Sequence, residues 1–162
     1  MKKQTKLLIS ITIILLVIYT GNFLYQQFTT TYGLWRINWG LDVPKPSKMN
    51  IVYERYGVGD GEAYVICEYD DRGVMKVKKS NQWKKVDTEA YNMLTLKISQ
   101  FKKNISEMYL NKQDHYLKLF LDHPIDFNED SLYYFRAKKS GSYFISIFNE
   151  EKRKIYVIEW AM

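Results

Sequence analysis

Two carboxylate–imidazole neighbours, Asp114-His115 and Asp122-His123, are the residues of this chain whose types could do chemistry. A carboxylate that holds an imidazole in one tautomer makes it a general base. Adjacent residues usually project in different directions, however, and no nucleophile motif accompanies either pair. There is no Gly-x-Ser-x-Gly, and the single cysteine, Cys67, sits in the alternating run Glu62–Tyr69, where a small buried side chain is the expected role. Asp114, His115, Asp122 and His123 are therefore weak candidates for a hydrolase or metal-dependent enzyme, and no catalytic residue is assigned.

Metal ligation fares no better. Cys67, His115 and His123 would supply three zinc ligands, but no Cys-x-x-Cys or His-Glu-x-x-His spacing supports a site. Asp126-Phe127-Asn128-Glu129-Asp130 places oxygen ligands at alternate positions, as a calcium loop begins. Ser131 stands where the glycine is required and Ala137 where the bidentate carboxylate is required. A turn is the expected structure there. No metal and no cofactor is expected.

Charge supplies a third signal. Lys76, Lys78, Lys79, Lys84 and Lys85 cluster within ten residues, and such a group can hold an anionic headgroup or polymer. Acidic neighbours (Asp70, Asp71, Glu150, Glu151) dilute it. Three of the 24 basic residues, Lys2, Lys3 and Lys6, belong to the amino-terminal tail, so the net charge of +6 overstates the rest. Gly57-x-Gly59-x-Gly61 lacks the following helix that would aim its amides at a phosphate. Nucleic acid is not an expected partner.

The elements that must carry these residues read as an α+β domain. Asn50–Tyr56 and Glu62–Tyr69 are β-rich runs separated by a glycine-rich stretch, hence a hairpin. Val74–Lys79 is ambiguous between strand and helix. Asp87 caps a helix over about 88–104, with Ala90, Leu94, Ile98 and Phe101 on one face. Residues 111–127 are hard to read; Tyr116, Leu117, Leu119, Phe120 and Leu121 are expected to be at least partly buried, and Pro124 ends any helix. Leu132–Ala137, Ser142–Phe148 and Ile155–Trp160 form a three-strand meander. The expectation is a small antiparallel sheet of four or five strands with one main helix on one face.

The amino terminus sets the wider expectation. Leu7–Leu24 carries no charge and reads as a transmembrane helix, because no Ala-x-Ala cleavage site follows it. The preceding lysines place the amino terminus in the cytoplasm. The boundaries are then a basic tail over 1–6, a span over 7–25, an aromatic juxtamembrane segment and proline linker over 26–48, and an extracytoplasmic domain over 49–162. Tyr25, Phe28, Tyr32, Trp35 and Trp39, with Arg36 toward phosphate, are the expected membrane-interface residues. The resulting reading is a single-pass protein of the cell membrane that presents a non-enzymatic binding domain. Its partners would be the bilayer and another membrane protein, an envelope polymer or a peptide. The alternatives are a tethered enzyme using an Asp–His pair, or an accessory subunit of a larger membrane complex.

Overall fold

In the computed structural model, residues 2–57, 60–109 and 113–162 are described, without the side chains of 2–8, 26–28 and 113. The chain forms two compact units, Met1–Val43 and Pro44–Met162.

The first unit holds α1 (Lys2–Thr29) and α2 (Thr31–Trp39). The helix does not run on unbroken, because Thr30 takes an extended conformation (φ −96°, ψ 142°) and its side chain accepts from the Gly33 N–H. Threonine is a favoured cap because its oxygen satisfies an otherwise free amide. Gly40, at φ 79°, ends α2 in the left-handed conformation that glycine adopts without steric cost.

The expected membrane span is corrected here: among the described residues, no helix is long and apolar enough to cross a membrane. Along α1 the unbroken apolar stretch ends at Tyr19, where Thr20, Gly21 and Asn22 follow. The single-pass topology, the cell-membrane localisation and the anchored function that rested on this span lose their support with it. The apolar side chains of α1, from Ile9 to Leu24, remain exposed.

The second unit is a six-stranded, wholly antiparallel sheet in the order β1-β2-β6-β5-β4-β3. Its strands are β1 (Lys48–Tyr56), β2 (Gly61–Glu68), β3 (Lys84–Lys85), β4 (Leu132–Ala137), β5 (Tyr143–Asn149) and β6 (Lys154–Ala161). The hairpin β1–β2 and the meander β4–β5–β6 are joined through the β2–β6 pairing. β3 adds a sixth strand to the four or five expected.

Three helices complete the unit: α3 (Asp71–Lys79), α4 (Thr88–Met108) and α5 (Gln113–Asp122). The ambiguous stretch before Lys79 is helical because Asp70 caps it, its carboxylate accepting from the Gly73 N–H at 2.7 Å. Asp87 caps α4 in the same way, accepting from Ala90 N–H at 2.8 Å. α4 extends a turn past the expected end because Ile105, four residues after Phe101, is also fully buried.

The main core lies between one sheet face and α4–α5. Tyr64, Ile66, Tyr143, Ile145, Ile147, Tyr156 and Ile158 face Leu94, Ile98, Phe101, Ile105 and Phe120. Each such side chain stabilises the fold by about 1.5–3 kcal/mol through removal from water. Alternation sends Val65, Cys67, Phe144, Ser146, Phe148 and Val157 to the opposite face, where Trp83 lies 6.2 Å from Phe148, ring to ring. Among the described side chains of α5 only Phe120 is buried. Tyr116 and Leu119 are half-buried, whereas Leu117 and Leu121, four apart on the outer side, are exposed, contrary to expectation.

Candidate functional site

The residues singled out in the sequence are dispersed. Asp114 and His115 lie exposed in the first turn of α5, the imidazole edge-on to Tyr116 at 5.3 Å. Asp122 ends α5, exposed, and His123 follows it, half-buried. The structural contribution of His123 is its backbone: its N–H donates to Leu119 C=O at 3.1 Å, and its carbonyl accepts from the Tyr64 hydroxyl at 3.0 Å. Cys67 is fully buried in β2, and burial pushes its thiol up to about 12. Among the described residues, no group of three or more His, Cys, Asp or Glu side chains converges as a metal would require.

The acidic run before β4 is built as a turn. Asn128 Oδ1 accepts from Asp130 N–H at 3.0 Å, and Ser131 Oγ accepts from Asn128 N–H at 3.1 Å. Its carboxylates point to different cations, Asp126 to Lys152 and Asp130 to Lys85. The lysine cluster is divided between two elements, with Lys76, Lys78 and Lys79 in the last turn of α3 and Lys84–Lys85 forming β3. Lys78 pairs with Glu150 at 2.6 Å and Lys85 with Asp130 at 3.8 Å. Nearby, Arg153 pairs with Asp71 at 3.1 Å and Lys154 with Glu68 at 3.5 Å. The acidic neighbours thus neutralise much of the basic surface by direct pairing.

In the first unit, Tyr25 is exposed on α1 and Tyr32 half-buried on α2. Trp35 and Trp39 are only 2% and 1% exposed. Arg36 is exposed and pairs with Asp42 at 3.7 Å. Phe28 lies outside the described side chains.

A different arrangement gathers polar and aromatic groups at one edge of the sheet. β1 pairs with β2 along one side only, and among the described residues no other strand lies beyond it. Its nine residues are mostly exposed, so a row of backbone N–H and C=O groups faces outward. A bulge at Val52, between Ile51 and Tyr53, divides the edge and turns Tyr53 and Arg55 onto the face that α4 and α5 cover.

There Arg55 lies opposite Glu62 in register, with its Nε 3.2 Å from Glu62 Oε2. Its Nη2 lies 3.5 Å from Asp60, and its Nη1 donates to the Tyr109 hydroxyl at 3.3 Å. Tyr109 packs at 4.9 Å against Tyr116, the rings tilted by 36°, and Tyr116 meets Tyr53 edge-on at 5.7 Å. Glu62 is only 3% exposed; burial raises its pKa, and the Arg55 guanidinium only partly offsets that rise. Burial likewise raises the Tyr53 hydroxyl, with the Tyr109 contact adding to it. On the other face, the Tyr56 hydroxyl donates to buried Glu159 at 3.3 Å. Tyr56 folds over Gly61, where a Cβ would run into its ring.

The Arg55–Glu62 contact follows from closing the expected hairpin, since pairing Tyr56 with Gly61 sets 55 against 62. Tyr109 was out of reach of the sequence, because α4 was expected to stop before it.

Comparison with protein-family models, with curated proteins and with solved structures gives no match.

Proposed function

We propose that this domain is a binding module that takes up an extended segment of another protein by strand addition along β1. The observation that carries the reading is the asymmetry of the two sheet edges. On one edge the two lysines of β3 pair with Leu132 and Tyr133 and leave only the four residues Tyr134–Ala137 of β4 open, while β1 leaves nine residues open on the other. Edge strands normally avoid pairing by being short or carrying lysines; a long open edge is a template for a further strand. The bulge at Val52 makes Tyr53–Tyr56 a separate half-edge, flanked by Arg55, Tyr109 and Tyr116. Main-chain hydrogen bonds would supply affinity there and the flanking side chains selectivity.

The test uses soluble, alternating Thr/Val peptides of about ten residues, one strand's length, with hydrogen exchange followed along the chain. Slowed exchange at residues 48–56 on peptide addition, weakened by Ile51→Lys at an exposed edge position, is the expected result. Binding without protection of β1, or self-association through β1 in place of peptide uptake, overturns the proposal.

A further inference from the structure

Resting on the strand-addition reading, we infer that the half-edge Tyr53–Tyr56 selects a peptide residue with a cationic side chain, lysine or arginine, and seats it against Tyr109, Tyr116 and the Asp60–Glu62 carboxylates. Three observations converge.

The first is charge. Arg55 is the one cation ion-paired with Glu62 and Asp60 among the described residues, at 3.2 Å and 3.5 Å. All three nitrogens of its guanidinium are engaged, on Glu62, Asp60 and the Tyr109 hydroxyl. Among the described residues this pairing leaves one negative charge over, which favours a cation over an anion.

The second is an under-satisfied buried group. The Glu62 side chain is 5% exposed, yet its Oε2 receives no well-aimed hydrogen bond, only the ion-pair contact with Arg55. A buried carboxylate held by a single ion-pair contact is left under-compensated, a deficit that a cation bound at the neighbouring, accessible Asp60 would lessen. The raised pKa of Glu62 agrees with an incompletely compensated carboxylate.

The third is the aromatic wall. Tyr109 and Tyr116 form a tilted pair at 4.9 Å, both half-exposed, at the end of α4 and the start of α5. The faces of such rings attract cations and repel anions. They also bind the alkyl stem of a lysine or arginine, whose charged head then reaches the carboxylates. Asp60, with its side chain half exposed, is the accessible acceptor.

The experiment measures anisotropy of labelled Thr/Val peptides of about ten residues carrying Lys, Leu or Glu at either central position. The Lys peptide is expected to bind roughly 2- to 5-fold more tightly than the Leu peptide, as one partly exposed cation–π contact warrants. The Glu peptide is expected to bind more weakly than either. Glu62→Gln and, at the exposed position, Asp60→Asn should each reduce the Lys-over-Leu preference, with circular dichroism confirming that the variants fold. If all three peptides bind equally, or both variants keep the full preference, the cation inference fails while strand addition stands. If no peptide binds, both fail.

Discussion

Arg55 reaches across the β1–β2 register to Glu62, its Nε 3.2 Å from a carboxylate that is almost wholly removed from water. The guanidinium side is open and the carboxylate side closed, so the pair's weight falls on Glu62. Burial raises the Glu62 pKa above its ordinary 4.5, and Arg55 opposes that rise. A carboxyl group raised by folding binds its proton more tightly in the native state. Its contribution to stability is therefore fully present below about pH 4.5 and is lost as pH rises through the folded value. The difference in unfolding free energy between wild type and Glu62→Gln should accordingly change across the window above about pH 4.5. Arg55→Ala should widen the window, since the opposing charge is gone. Urea titrations at several pH values read this, and a pH-independent difference would contradict it.

The hydroxyl of fully buried Tyr64 donates to the carbonyl of half-buried His123 at 3.0 Å. Tyr64→Phe leaves that carbonyl short of a donor and should cost about 1–3 kcal/mol. His123→Ala keeps the carbonyl and should change stability by no more than about 0.5 kcal/mol, as for a surface substitution. Chemical denaturation of the two variants distinguishes a backbone role for this residue from one that needs the imidazole.

Cys67 has no exposed surface, and its thiol is pushed up to about 12 by burial. Because the thiolate is the reactive form, a thiol reagent at about pH 8 should label Cys67 only as fast as the fold opens. Labelling rates that rise with urea in step with unfolding are expected. Rapid labelling of the native protein would show that the thiol is accessible.

Periodicity and capping made the secondary unit's α+β content legible. Asp87 with Ala90, Leu94, Ile98 and Phe101 marks α4, and β4 covers the same residues, 132–137, as the expected strand. α3 was less clear because Met75–Lys78 alternates apolar and basic residues, which imitates a strand; the deciding feature is the Asp70 cap. β3 was invisible, since two lysines carry no strand signal of their own and pair with Tyr133 and Leu132 only in the assembled sheet.

The amino-terminal run was the opposite case. Its composition is apolar, but Thr20 and Asn22, with Gly21 between them, interrupt it, and no helix among the described residues qualifies as a span. The candidate site was legible only in part. Arg55 against Glu62 follows from hairpin closure, whereas Tyr109 and Tyr116 meet β1 through helix lengths and packing that depend on the whole core.

The two unequal ends of the sheet bear on assembly. A filament of stacked sheets grows when each subunit offers an acceptor at one end and a donor at the other. Here β3 ends the sheet after two lysines, Lys84 and Lys85. Under the strand-addition proposal, a guest on β1 would face outward alone, since the opposite edge offers only two lysines and the four residues Tyr134–Ala137; that inequality favours one-to-one complexes over polymers.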